Sequence, residues 1–133
     1  MKSYVLDSYS VIAFLENEKG ADKVSRILAD SFQKGINIYF CVLNWGEVYY
    51  TALRGGGKTA GATALEAMQA LSLLIIDVDI PLTRQAAVFK SKYRMSFADC
   101  YAAALAKSVN GILVTGDPEF RQIEKEISVF WID

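Results

Sequence analysis

The chain has 133 residues, 53% hydrophobic and 22% charged, with 14 basic and 15 acidic side chains and a net charge of −1. That length and balance suit one domain, residues 1–133, with a core of its own and no disordered tail; the near-zero charge leaves any nucleic-acid affinity to a local patch. Histidine is absent, which excludes Ser-His-Asp and Cys-His nucleophilic sites, His-ligated zinc and a histidine general base.

Short β-rich runs alternate with amphipathic helical runs. SYVLD (Ser3 to Asp7) reads as a strand, and Ser8 to Asn17 has helical spacing through Val11, Ile12, Phe14 and Leu15. Gly20 to Lys34 repeats apolar residues at Ala21, Val24, Ile27, Leu28 and Phe32, a helix with one buried face. NIYFCV is the second strand, Trp45 to Arg54 is helical, and Gly55 to Gly57 stop that helix. Thr59 to Leu73 is an Ala- and Leu-rich helix, and LLIIDV is the third strand. Pro81 suits the first turn of a helix reaching about Tyr93. Phe97 to Ser108 is Ala-rich helix, GILVTGD the fourth strand, Pro118 to Lys125 a short helix and ISVFWI the last strand.

Strands this apolar, separated by helices, imply a three-layer α/β/α sandwich around a central, mainly parallel five-stranded sheet. Ligands in such folds bind beyond the carboxyl ends of the strands. Cys41 and Cys100 are too few and too far apart for a zinc site and read as buried, reduced thiols of a cytoplasmic protein. Asp7 and Glu16 interrupt the first apolar run, so neither a signal peptide nor a membrane span is expected.

RGGGKTAG (Arg54 to Gly61) ends like a phosphate-binding loop. The pattern G-x-x-x-x-G-K-[ST] needs a glycine at position 52, where Ala52 stands, and a strand leading into it, where the chain reads as helix. The segment is expected to be a connection between helices.

Four acids fall at element boundaries: Asp7 ends the first strand, Glu47 follows the second, Asp99 opens the Ala-rich helix and Asp117 ends the fourth strand. Each has a structural explanation. Asp7 and Asp117 suit N-caps, while Asn44-Trp45-Gly46-Glu47 and Ser96-Phe97-Ala98-Asp99 fit capping boxes. Jointly they mean more, since a parallel sheet gathers the ends of its strands. Two carboxylates ~4 Å apart repel by about 4 kcal/mol at an effective dielectric near 20, so a cluster needs protons or a divalent cation. Oxygen donors alone favour Mg²⁺ or Mn²⁺.

VLDSYSVIAFLE, WGEVYY, SFADCYAAALA and VTGDPEF resemble, in order and spacing, the four acidic motifs of PIN-domain ribonucleases. The resemblance covers essentially the whole chain and is nearest to VapC-like toxins of type II toxin–antitoxin pairs. It implies a Mg²⁺- or Mn²⁺-dependent endoribonuclease in which metal-activated water cleaves RNA. The catalytic and metal-binding acids become Asp7, Glu47, Asp99 and Asp117, with Asp7 and Asp99 the principal ligands. Glu119 matches an accessory acid and Thr115 a site-supporting hydroxyl. Ser8 and Ser10 are placed to bond a metal water or phosphate, or simply to begin the helix. The resemblance also implies an RNA substrate, a small antitoxin partner and a homodimer.

Tyr9 departs from the family pattern; stacking on a base and packing on a helix both remain open for it. Arg54 and Lys58 are candidates for RNA or partner contact, with Arg84, Lys92 and Arg94 as further basic positions. Trp45, Tyr49 and Tyr50 suit either a partner surface or the core. A haloacid-dehalogenase-type phosphatase fits poorly because Tyr9 stands where a second Asp is required, and a receiver domain lacks its acidic pair and late lysine. The remaining alternative is a catalytically silent PIN-like module that binds RNA or protein.

Overall fold

The computed structural model describes residues 2–133. Five strands, β1 (Tyr4–Leu6), β2 (Ile38–Cys41), β3 (Leu74–Ile76), β4 (Ile112–Thr115) and β5 (Ser128–Trp131), form one sheet of order β3-β2-β1-β4-β5. All four pairings are parallel, where the sequence led us to expect a mainly parallel sheet. The chain builds outward from β1 through β2 to β3, then returns to the other side of β1 for β4 and β5. The reversal lies between β1 and β4, the kind of switch point at which open parallel sheets form a crevice.

Helices α1 (Ser8–Leu15), α2 (Ala21–Lys34) and α3 (Val42–Ala70) connect the first three strands, and α4 (Ile80–Lys92) and α5 (Phe97–Ser108) lead to β4. Right-handed crossovers require the two sets to lie on opposite faces. The core divides accordingly. Leu6, Phe40 and Val114 pack with Val11, Val24 and Ile27 on one side. Val5, Cys41 and Leu113 pack with Phe89, the alanines of α5 and Phe120 on the other. Neighbouring strand residues therefore face opposite layers, following the two-residue period of a strand. Ala102, Ala103 and Ala104 are fully buried, and their small side chains let α5 lie close over the sheet centre.

Several boundaries differ from expectation. The second strand ends at Cys41, which is itself the N-cap of α3, so that helix starts at Val42 rather than Trp45. Asn44 consequently lies inside the first turn, and no capping box joins it to Glu47. The glycines do not end α3 cleanly: helical bonding continues to Ala70 across a break at Gly56 and Gly57, the latter with φ 69°. The two arms nevertheless fold towards each other. A β-carbon at Gly61 would come within 2.5 Å of Leu53 Cδ2, whereas eight residues of straight helix span about 12 Å. The short helix expected after β4 is a 3₁₀ helix, Pro118–Ile123, and ends before Lys125.

Trp45 packs against the core on the α1–α3 side. Tyr50 is half exposed, with the Arg54 guanidinium 5.4 Å from its ring centre. Cys41 and Cys100 are buried free thiols. Among the described residues no helix is long and apolar enough to cross a membrane.

Candidate active site

The register carries Asp7 and the end of β4 to the same edge. Leu6 pairs with Phe40 on one side and with Val114 on the other, so Asp7 follows level with Cys41 and Thr115. Asp7 caps α1: its Oδ1 accepts from the Ser10 amide at 2.9 Å, and the Ser10 hydroxyl returns to the Asp7 backbone. Its Oδ2 accepts from the Thr115 hydroxyl at 2.5 Å. The same Thr115 oxygen accepts from the Asp117 amide at 3.0 Å. One buried hydroxyl thus ties the carboxyl ends of β1 and β4 together. Asp117 caps the 3₁₀ helix by accepting from the Glu119 amide. Capping and chemistry are therefore not exclusive for Asp7 and Asp117, because each cap bond leaves the carboxylate further lone pairs.

Glu47 enters from the second turn of α3, and Asp99 from the first turn of α5. The Ser96 hydroxyl caps α5 by accepting from the Asp99 amide at 3.1 Å, so this cap uses the Asp99 backbone rather than its carboxylate. Asp7 is 1% and Asp99 8% exposed. Among the described residues the only salt bridge is Lys107–Glu126, and no cation neutralises either acid. Burial pushes the Asp7 carboxyl up to about 6; the Thr115 and Ser10 bonds oppose the rise, and the Asp117 charge adds to it. Asp99 is pushed up to about 7, first by burial, then by the charges of Asp117, Asp7 and Glu47, with Ser96 pulling the other way. The charges of Asp117, Asp7 and Glu47 thus all reach Asp99.

Asp7, Asp99, Asp117 and Glu47 offer only oxygen donors, the chemistry of a hard divalent cation. Among the described residues no three His, Cys, Asp or Glu side chains form a ready-made metal cage. The donor set fits such an ion, while the carboxylates stand apart as expected of groups that repel one another.

The other sequence-derived candidates lie further out. Ser8 is half-buried at the start of α1, and it is Ser10, not Ser8, that bonds Asp7. Glu119 is exposed, in the first turn of the 3₁₀ helix. Arg54 and Lys58 are exposed on either side of the glycine break of α3. Tyr9 is 38% exposed beside the crevice, its ring over Gly116 and its hydroxyl donating to Asp133. An open cleft of about 600 Å³ lies away from the acids, between α1 and the bend of α3, lined by Ile12, Leu15, Val48 and Ala64 among others. Asn44 is the residue that sequence reasoning missed. Fully buried, it donates from Nδ2 to Glu47 Oε1 at 3.0 Å, and its spacing of three from Glu47 on a helix was the available signal.

A family model for the PIN domain matches residues 4–126. The chain belongs to the PIN-domain family. Its fold is similar to that of DNA-bound VapBC from Salmonella typhimurium, with a TM-score of 0.77 and 15% identity over all of both chains. VapBC2 from Rickettsia felis, bound to a DNA fragment from its promoter, gives 0.78 and 20% identity over 98% of each chain. VapC20 from Mycobacterium tuberculosis, a Sarcin-Ricin loop cleaving toxin, gives 0.72 and 17% identity over 90% of this chain and 94% of that one. No curated protein matches by sequence. At these identities the likeness establishes the PIN fold and leaves activity to the site.

Proposed function

We propose that this PIN domain is a Mg²⁺- or Mn²⁺-dependent endoribonuclease, the toxin of a toxin–antitoxin pair, acting in the cytoplasm as a homodimer. The observation that carries the reading is the Thr115 hydroxyl, which ties the buried Asp7 carboxylate to the turn that presents Asp117; the charges of both acids, with that of Glu47, add to burial in raising the Asp99 carboxyl to about 7. Two buried carboxyls are held close to neutral pH at the switch point of the sheet, where a fold of this kind binds its ligand. The likeness to VapC20, a toxin that cleaves the Sarcin-Ricin loop, supports RNA as the substrate. The likeness to VapBC complexes supports an antitoxin partner.

In this reading Asp7 and Asp99 would hold the cation directly, with Asp117 and Glu47 completing its surroundings. Such an ion would supply a water of lowered pKa and offset charge on the phosphate. Thr115 and Ser10 hold the Asp7 carboxylate in one orientation, and Thr115 fixes the turn that presents Asp117. Asp7 and Asp99 must give up their protons to act as ligands, so affinity for the ion rises as pH passes through about 6 to 7. The low exposure of both groups strengthens their interaction with a cation relative to one in open water.

Cleavage of structured RNAs with Mg²⁺ or with EDTA, by the natural chain and by Asp7→Asn, tests the proposal. Cleavage that needs the metal and falls by at least about 100-fold in Asp7→Asn is expected, the scale of a lost charge-stabilising group. RNA binding without cleavage by either protein would instead select the silent binding module.

A further inference from the structure

Asn44 is fully buried in the first turn of α3, directly after the strand that delivers it. Both of its neighbours are acceptors: Glu47 Oε1 at 3.0 Å and the Ala98 carbonyl oxygen at 3.4 Å. Only the amino end of the amide can face a carboxylate and a carbonyl together, so the orientation of the side chain follows from its surroundings. Ala98 immediately precedes Asp99 in α5. One side chain therefore spans from the acid carried by α3 to the turn that carries the acid of α5. Its own Oδ1 is buried without a partner, a penalty that a leucine of similar size would avoid. The N-cap of α3 is Cys41, so Asn44 is not there to cap the helix.

We propose that Asn44 is a positioning residue: it clamps the Glu47 carboxylate to the first turn of α5 and so sets the spacing between Glu47 and Asp99 within the cation-holding cluster. The inference rests on the metal-nuclease reading and adds to it a residue outside the four acids. Glu47 is half-buried on a flexible three-bond side chain, and it has more rotamers to lose than the aspartates. A fixed donor at its Oε1 holds one of them before any ligand arrives. Groups that orient metal-binding side chains in this way commonly change affinity by about 10–100-fold when removed.

The test is Mn²⁺ binding, followed by electron paramagnetic resonance, to the natural chain, Asn44→Leu, Glu47→Gln and the double variant, with Asp99→Asn as control and melting temperatures recorded alongside. Asn44→Leu is expected to weaken Mn²⁺ binding by about 10-fold and to add little once Glu47→Gln is present, because the clamp then has no carboxylate to hold. Should Asn44→Leu fail to fold, Asn44→Asp, which keeps the shape but cannot donate when ionised, takes its place with the same expectation. Undiminished Mn²⁺ binding, or an equal loss with and without Glu47→Gln, overturns the positioning role and leaves the nuclease reading standing. Natural chain and Asp99→Asn binding Mn²⁺ equally poorly overturns both.

Discussion

Asp99 offers the sharpest separation between an acid kept for helix stability and one kept for ligand binding. The structure assigns the cap of α5 to Ser96 and to the Asp99 amide, and both survive in Asp99→Asn. If the carboxylate served only the helix, its loss would remove a favourable charge from the first turn, about 0.5 kcal/mol at any pH where it is ionised. The crevice predicts the opposite sign. Lifting the carboxyl from 3.8 to about 7 corresponds to about 4 kcal/mol of disfavoured ionisation. Halving that for screening by water in the open crevice leaves about 2 kcal/mol. Between these two values the native carboxyl binds more protons than the unfolded one. Its contribution is therefore complete below pH 3.8 and lost as pH rises through about 7. Asn cannot ionise and does not suffer that loss. Thermal unfolding in EDTA at pH 4.5 and pH 8 should show Asp99→Asn close to the natural chain at the lower pH. At pH 8 the variant should melt roughly 6 °C higher. Mg²⁺ at about 100 times its dissociation constant should then stabilise the natural chain by about 3 kcal/mol and the variant hardly at all. A variant that is less stable at pH 8, or whose difference from the natural chain is the same at both pH values, refutes the reasoning.

Three further predictions follow from single contacts. Thr115→Val removes the bond that lowers the Asp7 pKa and leaves the half-buried Asp117 amide without its Thr115 partner; we expect about 1–2 kcal/mol less stability and a pH–activity profile moved to higher pH, with Thr115→Ser close to normal on both measures. In Gly116→Ala the new β-carbon would overlap the Tyr9 ring and come within 2.8 Å of Asp133 Oδ2; urea unfolding should show a loss of about 1–3 kcal/mol, most of it recovered in Gly116→Ala/Tyr9→Ala, where the ring is gone. Replacing both Arg54 and Lys58 with Ala should weaken RNA binding and reduce its dependence on salt by about 1.4 in the log–log slope for single strands, whereas an unchanged slope would make the glycine bend a connector only.

Much of the fold was legible in the sequence because periodicity and end signals are local. Val5 and Leu6 alternate between two cores as a strand must, and Pro81 marks the start of α4. The start of α3 was not legible in this way. Asn44 looks like a cap, but the tight strand-to-helix turn at Cys41 begins the helix earlier, and only the packing of β2 in the sheet determines where that turn falls. The continuation of α3 past its glycines is likewise a tertiary effect, in which Leu53 and Tyr49 seat against Gly61 and favour the bend over a clean stop.

By itself, the sequence determined the parallel α/β architecture, the absence of histidine chemistry and the four acids at element ends. Those follow from residue type and spacing along the chain. Only the tertiary structure decided how the acids relate to one another. Strand order brings Asp7 beside Thr115 across more than a hundred residues of chain. Burial by α5 and the neighbouring charges raise Asp99, and one buried amide joins α3 to α5. Electric fields and hydrogen bonds act through space, and the distances that set them come from the order of the strands rather than from the order of the residues.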